Sequence, residues 1–169
     1  MAVPNSLLRT DKELTELYRR HVDTVYRVCY TLLKNAPETE DAVQNVFLKL
    51  LECPISFESP SHERAWLITT AKNHCLDQLR CWWKKRRVDY EDLPEPSAPD
   101  EPELGEAFAA LMDLPPKYKL PLYLFYYEGY ASAEIAALLG EKDNTIRTRL
   151  RNGRLRLKTV LEGQADADD

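Results

Sequence analysis

Residues 130–158, YASAEIAALLGEKDNTIRTRLRNGRLRLK, decide the fold class of this chain. Apolar side chains recur there at intervals of three and four, the spacing of an α-helix, on both sides of Gly140. Gly140 begins a turn of four residues, and Asp143 or Asn144 is placed to cap the helix that follows. Two short helices joined by such a turn form a helix-turn-helix. The sequence therefore predicts helices rather than strands, with this motif near the C-terminus.

The second helix of the motif carries a stripe of positive charge. Its basic side chains recur at intervals of four, three and four residues and so share one face: Arg147, Arg151, Arg154 and Lys158. A basic helix by itself could be an ordinary solvated surface, but the adjoining turn favours binding in the major groove of DNA. We expect its first turn to approach bases and its later arginines to contact the backbone. The predicted DNA-binding residues are Lys142, Asn144, Thr145, Arg147, Thr148, Arg149, Arg151 and Arg154.

An acidic, proline-rich segment precedes this unit. Residues 88–106, VDYEDLPEPSAPDEPELGE, contain four prolines, eight acidic residues and no basic residue. Such a segment can neither hold a helix nor bury a core, so we predict a flexible linker at residues 88–104. It separates two small helical domains, at residues 10–87 and 105–162. The fold class is all-α, with the helix-turn-helix in the C-terminal domain.

The overall charge conceals strong local charges. A net charge of −5 by itself argues against a nucleic-acid partner. The basic residues, however, cluster at residues 84–87 and 142–158, whereas the acidic residues concentrate at residues 89–106 and in the C-terminal tail. Because charge is segregated by segment, local fields remain strong although their sum is small.

Several other classes of protein are disfavoured by the sequence. The first ten residues lack the apolar core of a signal peptide, and no apolar stretch approaches the ~20 residues that span a bilayer, so we expect a cytoplasmic protein without membrane insertion. The cysteines are spaced neither as a disulfide framework nor as a zinc site, which favours buried free thiols: Cys29, Cys53, Cys75 and Cys81. We expect no enzyme activity, no cofactor and no bound metal.

Three helices are predicted in the N-terminal domain. Apolar residues recur at helical spacing from Leu14 to Leu32, and Asn35 to Pro37 ends that helix and begins the next. The inner stripe of the second helix is predicted as Ala42, Val43, Val46, Phe47, Leu50 and Leu51. Ser59 and Pro60 suit the start of a third helix that runs to about Arg87. Its inner face is predicted as Ala65, Ile68, Ala71, Cys75, Leu79 and Trp82.

Two outward faces in this domain have unusual compositions. The third helix mixes an aromatic ring, hydrogen-bonding groups and cations, which fits unstacked bases beside phosphates but also fits a solvated helix: Trp66, Thr69, Asn73, Asp77, Arg80 and Lys84. The second helix exposes a leucine among polar residues, which a protein partner would explain, although lone exposed leucines are common: Asp41, Gln44, Asn45 and Leu48.

Over residues 14–161 the chain resembles the extracytoplasmic-function sigma factors of bacterial RNA polymerase. LYRRHVDTVYRVCYTLLKNAPETEDAVQNVFLKLL is similar to the first conserved helices of that family, and AWLITTAKNHCLDQLR to its promoter-melting helix. The helix-turn-helix is similar to the reader of the upstream promoter element. The order of these motifs, with the acidic linker between them, makes the combination specific.

The resemblance implies a function and a set of partners. It implies a sigma factor that directs core RNA polymerase to promoter DNA and assists melting, with an anti-sigma factor as a possible further partner. Residues 142–154 would read the minus-thirty-five element. Residues 55–64 and the third helix would capture the minus-ten element through Trp66, Lys72, Asn73, Asp77, Arg80 and Lys84. The polymerase clamp would be bound by Asp41, Gln44, Asn45, Phe47 and Leu48.

The chain departs from the family pattern at a few positions, and its residues leave two other functions open. Asn144 stands where many relatives have glycine, Gly153 replaces a common alanine, and His74 interrupts a stretch that is usually more aliphatic. One alternative is an operator-binding regulator that acts without polymerase. The other is a metal enzyme, whose ligands would be His62, His74, Cys75 and Cys81.

Overall fold

The structure is a computed structural model that describes residues 9–53, 55–86 and 105–167. Within these ranges all regular secondary structure is helical, which confirms the all-α prediction. The helices are α1 (Asp11–Leu33), α2 (Ala36–Glu52), α3 (Pro60–Arg86), α4 (Glu106–Met112), α5 (Pro116–Tyr126), α6 (Ser132–Leu139) and α7 (Asp143–Ala167). They form two compact units, α1–α3 and α4–α7. The predicted linker at 88–104 lies outside the described residues.

Local sequence signals set the helix boundaries of the first unit. Thr10 caps α1 and forms a reciprocal capping box with Glu13. Asn35 caps α2, since its side chain accepts a hydrogen bond from the backbone N–H of Glu38 at 2.9 Å. Ser59 does the same for α3, accepting from the N–H of His62 at 3.1 Å. The predicted starts of the second and third helices are therefore correct.

The core of the first unit lies where α1, α2 and α3 meet. Its buried apolar side chains are Leu17, Val25, Val28, Cys29, Tyr30, Ala42, Val43, Val46, Leu50, Leu67, Ile68, Ala71 and Cys75. Two residues predicted on inner faces, Leu51 and Trp82, are instead 49% and 42% exposed. Periodicity places a residue on a side of a helix, but a three-helix unit covers only the centre of that side.

The cysteines were predicted to be buried, and this is right for two of them. Cys29 and Cys75 have no exposed surface, Cys53 is half-buried, and Cys81 is exposed, where the prediction is wrong. All four are free thiols. The side-chain hydrogen bond with Cys75 raises the pKa of the Cys29 thiol, because it stabilises the protonated form, and burial raises the pKa further.

In the second unit, α6 and α7 form the predicted helix-turn-helix. Gly140 ends α6 in the left-handed conformation, with φ of 66°, and the N–H of Glu141 donates to the carbonyl oxygen of Ala136 at 2.9 Å. Helix α7 begins at Asp143, so Asp143 and Asn144 lie inside its first turn rather than before it. The helix also continues past its predicted end at Leu161 to Ala167.

Helix α7 crosses α5 at Gly153. A Cβ atom at this glycine would lie 2.8 Å from Leu122 Cδ1 and 3.2 Å from Tyr118 Cβ, and both neighbours are buried. Because glycine has no Cβ, the two helices approach more closely than alanine would allow. The departure from the family pattern at this position therefore has a packing cause.

Two absences apply to the described part of the chain. None of its helices has the length and apolar composition needed to cross a membrane. Nor do its His, Cys, Asp and Glu side chains form a group of three or more that could hold a metal ion.

Candidate nucleic-acid interface

The predicted DNA-binding side chains of the second unit surround the start of α7. Exposed among them are Lys142, Asn144, Arg147, Thr148, Arg151 and Arg154, whereas Thr145 and Arg149 are half-buried. The opposite side of the helix is buried in the core by Ile146, Leu150 and Gly153. Helix α7 thus presents a polar and cationic surface on a rigid support, as a major-groove helix requires.

Acidic neighbours hold two of these arginines. Arg147 Nε lies 3.0 Å from Asp143 Oδ2, one turn earlier on the same helix. Arg149 Nη1 lies 3.3 Å from Glu141 Oε1 in the turn. Ion pairs that remain at least partly open to solvent contribute little stability, so phosphates or base edges can compete for the guanidinium groups.

The later members of the cationic stripe differ from one another. The Arg154 guanidinium lies over the rings of Phe125 and Tyr126 on α5, at 4.8 and 5.7 Å from their centroids. Lys158 Nζ lies 3.8 Å from Glu162 Oε1. Arg151 makes no ion pair or ring contact within the described ranges. The predicted stripe is present, but three of its four members are restrained, Arg147 and Lys158 by acidic side chains and Arg154 by rings of α5.

A shallow depression beside the start of α7 adds a residue that the sequence did not indicate. It has a volume of about 460 Å³ and is lined by Lys117, Tyr118, Asn144, Thr145, Thr148, Arg149 and Asn152. Lys117 is exposed in the first turn of α5, and its Nζ lies 5.0 Å from the Tyr118 ring centroid. Its only sequence signal is its position after two prolines, which does not predict that α5 reaches α7.

In the first unit, α3 presents the predicted polar face. Asn73, Asp77, Arg80 and Lys84 are exposed, and Arg80 Nη1 lies 3.4 Å from Asp77 Oδ1. Trp66 and Lys72 are half-buried. Trp66 packs edge-on against Phe57, with ring centroids 5.8 Å apart, and so lies at the boundary between α3 and the preceding loop.

The α2–α3 loop, residues 55–59, is ordered by contacts with the start of α3. The Phe57 ring meets His62 edge-on at 5.4 Å. The backbone N–H of Glu58 donates to His62 Nδ1 at 3.2 Å. The loop therefore has a defined shape at the start of α3, in the region where the resemblance implies capture of a base.

A buried polar cluster joins α1 to α3 and was missed by sequence reasoning. Glu63 Oε1 accepts a hydrogen bond from Arg20 Nη2 at 2.9 Å and lies 2.5 Å from His21 Nε2. Glu63 and His21 are both buried. Buried charges are stable only when paired, so this cluster specifies how the first turn of α3 sits on α1. No local pattern reveals a pair separated by 42 residues.

The outer face of α2 contains the residues predicted to bind polymerase. Asp41, Gln44 and Leu48 are exposed, while Asn45 and Phe47 are half-buried. The Phe47 ring contacts Tyr18 of α1, with centroids 4.8 Å apart. Together with Leu14 and Leu51 these rings line a shallow groove of about 430 Å³. Sequence reasoning missed the contributions of Tyr18, which it took only as part of the helical spacing of the first helix, and of Leu51, which it placed on the inner stripe of the second helix.

Two families match the chain, one in each unit. The family described as Sigma-70 region 2 matches residues 17–87, and the family described as Sigma-70, region 4 matches residues 105–157. Together the two matches cover more than half of the chain.

Several sigma factors are similar to the chain over most of its length. It is 33% identical to the ECF RNA polymerase sigma factor SigE of Mycolicibacterium smegmatis over 159 residues, which cover 86% of this chain and 60% of SigE. It is 30% identical to the RNA polymerase sigma factor SigV of Bacillus subtilis over 132 residues, 77% of this chain and 80% of SigV. The chain therefore spans less than two thirds of SigE but most of SigV.

Two solved structures share the fold. One is the sigma factor RpoE from Bartonella quintana in complex with the anti-sigma factor NepR, with a TM-score of 0.76 and 24% identity, over 89% of this chain and 98% of that one. The other is CnrH in complex with the cytosolic domain of CnrY, with a TM-score of 0.61 and 18% identity, over 91% and 90%. At these identities the likeness concerns the fold alone.

Proposed function

The chain belongs to the sigma-70 family, as a sigma factor of the extracytoplasmic-function type, and from this membership we propose that it directs core RNA polymerase to specific promoters. The observation that carries the proposal is the presence of both matched regions as separate helical units, each with cations on an exposed helix face. The protein acts by binding and catalyses no reaction. It works in the cytoplasm, where the polymerase and the chromosome are.

The second unit reads the minus-thirty-five element through α7. Arg147 lies one turn after the first residue of α7, still in the N-terminal part of the helix, where side chains reach base edges in the major groove. Arg151 and Arg154 lie further along and contact the phosphate backbone. Lys142, Asn144, Thr145, Thr148 and Arg149 complete this proposed site, and Lys117 adds a phosphate contact from α5.

The first unit captures the minus-ten element and assists melting. Asn73, Asp77 and Arg80 expose hydrogen-bonding groups along α3, further along the helix than Trp66, which contacts the α2–α3 loop. An unstacked base can be held there by polar contacts while cations neutralise the adjacent phosphates. Trp66, Lys72 and Lys84 belong to the same proposed surface.

The outer face of α2 binds the clamp of the polymerase. Leu48 is 52% exposed, and Phe47 and Leu51 of the same helix line a shallow groove with Tyr18. An apolar centre with a rim of Asp41, Gln44 and Asn45 has the composition of a protein interface. An anti-sigma factor is a further proposed partner, because RpoE of Bartonella quintana was solved with one.

Dependence on core polymerase tests the proposed function. Purified protein alone and protein mixed with core enzyme are compared for binding to a promoter pool, against a scrambled pool of equal composition. Sequence-specific binding that requires core enzyme supports a sigma factor. Equally specific binding by the protein alone would instead indicate an operator-binding regulator, which nothing in the structure or the family favours.

A further inference from the structure

Arg9 contacts the α2–α3 loop at two points, although 46 residues separate it from the first of them. It lies immediately before Thr10, the cap of α1. Its Nη2 donates a hydrogen bond to the backbone carbonyl oxygen of Ile55. The same guanidinium lies over the Phe57 ring, 4.9 Å from the centroid. One side chain therefore constrains both the backbone and the aromatic ring of this loop.

Phe57 passes this constraint on to α3. Its ring meets His62 and Trp66 edge-on, with centroids 5.4 and 5.8 Å away. Arg9 and the two α3 residues thus surround the same ring. Trp66 belongs to the proposed minus-ten surface, so a change in the Phe57 rotamer would move a residue that faces promoter DNA.

The first turn of α3 is anchored to α1 independently of Arg9. Glu63 is held by Arg20 and His21 through the buried cluster described above. Loss of Arg9 therefore leaves α3 in place and releases only the loop that precedes it. This separation allows the loop to be tested without disturbing the helix.

An arginine is suited to both contacts in a way that lysine is not. The planar guanidinium can donate in its own plane to a carbonyl while its face lies against an aromatic ring. A lysine ammonium is a compact charge that can satisfy one of these geometries at a time. A loop held in its binding conformation before the ligand arrives avoids the ordering cost of binding.

We propose that Arg9 is a positioning residue that holds the α2–α3 loop in the shape that accepts an unstacked promoter base. Arg9 does not contact DNA itself; it acts through Ile55 and Phe57. The inference rests on the proposed function and extends it to a residue outside the segments that the two sigma-70 matches cover, residues 17–87 and 105–157.

The test uses polymerase holoenzyme assembled with the full chain. Its affinity is measured for a single-stranded non-template oligonucleotide with the minus-ten sequence selected by the wild-type holoenzyme, and for a scrambled oligonucleotide. Arg9→Ala is expected to lower the ratio of the two affinities about tenfold, the equivalent of one hydrogen bond to a charged group. Affinity for the scrambled oligonucleotide and for core enzyme is expected to stay unchanged.

Two further variants give the result its meaning. Arg9→Lys keeps the charge and is expected to restore less than half of the lost discrimination on a logarithmic scale. Arg19→Ala removes an exposed α1 arginine that has no partner among the described residues, and is expected to leave the ratio unchanged. The thermal unfolding midpoint of each variant is compared with that of the wild-type chain, to verify that the first unit remains folded.

Three outcomes would overturn the inference. One is an unchanged ratio in Arg9→Ala. Another is an equal fall on both oligonucleotides, which would make Arg9 a phosphate contact. The third is full rescue by lysine, which would show that a positive charge at this position is sufficient.

If Arg9→Ala unfolds, Phe57→Leu, which removes the ring contact, must reproduce the loss of discrimination. A wild-type holoenzyme that selects no minus-ten sequence would instead refute the proposed function.

Discussion

Arg147 and Arg154 lie on the same side of α7 but are held differently, and this difference separates their expected roles. The ion pair with Asp143 engages Arg147 through Nε, which leaves both Nη groups available for a base edge. The Arg154 guanidinium is stacked against Phe125 and Tyr126, which fits a fixed charge beside the backbone.

We predict that Arg147→Ala weakens holoenzyme binding to the selected minus-thirty-five duplex by about 1 to 3 kcal/mol, the value of a bidentate base contact. Binding to a scrambled duplex should change little. Arg154→Ala is the matched control and should weaken both duplexes equally. Filter binding at fixed salt measures all four affinities. Equal weakening of both duplexes by Arg147→Ala would show that this side chain touches only phosphate.

His74 is expected to make the stability of the first unit depend on pH. Desolvation lowers its pKa below the ordinary 6.5, and the nearby Lys49 lowers it further, while Asp41 and Asp77 partly oppose the shift. Its Nε2 atom is buried without a hydrogen-bond partner in the described structure. The folded state therefore disfavours the protonated imidazole.

The sign of the effect follows from proton binding. Below pH 6.5 the unfolded chain protonates His74 before the folded chain does, so stability contributed by the neutral form is lost as pH falls through that range. We predict that His74→Gln flattens the fall in stability between about pH 7.5 and 5.5. Urea unfolding followed by tryptophan fluorescence measures the stability of the first unit at each pH, since all three tryptophans lie in that unit. An unchanged pH dependence would contradict the prediction.

At the scale of helices, the crossing of α5 and α7 depends on Gly153. Alanine in a helix normally adds about 1 kcal/mol over glycine by restricting the unfolded chain. Here a Cβ would press on Leu122 and Tyr118, and overpacking of a buried contact typically costs about 1 to 3 kcal/mol. The steric cost is therefore expected to exceed the gain in propensity.

We predict that Gly153→Ala destabilises the second unit by about 1 kcal/mol, the difference between these two effects. Gly163→Ala on the same helix is the matched control, because nothing lies within 4 Å of a Cβ there. It should leave stability unchanged or raise it slightly. Hydrogen exchange of α5 and α7 amides in the full chain measures both. Slower exchange in Gly153→Ala would mean that the crossing relaxes at no cost.

Most of the helices could be predicted from sequence, because their signals are local. Asn35, Ser59 and Gly140 each begin or end a helix where a cap or a left-handed residue is needed. The helix-turn-helix follows from such signals together with apolar spacing. The exposed face of α7 follows as well, because the opposite face is fixed by the buried Ile146 and Leu150.

The parts that sequence did not predict depend on contacts between distant residues. Arg9 precedes the first helical pattern, and nothing local connects it to Phe57. The sequence gives no sign that Glu63 is anything but a solvated charge, whereas in the structure it makes a buried contact with His21. Tyr18 carries the apolar signal of a core residue, yet its exposure depends on where α2 packs.

At the scale of the whole molecule, the acidic segment is expected to regulate access to DNA. Two cationic faces and residues 89–103, which contain seven acids and no base, belong to one chain. In the free protein the acidic residues can compete with DNA phosphates for either cationic face. Docking on polymerase would separate the acidic segment from both faces. These residues lie outside the described structure, and their expected effect follows from their charge alone.

We predict that deleting residues 89–103 raises the affinity of the free protein for duplex DNA roughly tenfold at low salt, with a smaller gain at high salt as the competing charges are screened. Replacing the segment with glycine and serine of equal length separates charge from tether length and should give the same gain. Fluorescence anisotropy with a labelled promoter duplex measures it. No gain in affinity from either variant would refute competition by the acids.

The central claim is that two cationic helical units recognise separate promoter elements while polymerase binds both. In vitro transcription by core enzyme with a randomised promoter pool tests it most directly. Adding the purified protein should start RNA synthesis at defined positions, and the enriched templates should share two conserved elements separated by a spacer of nearly constant length. Failure to direct core enzyme to initiate at any sequence would contradict the claim.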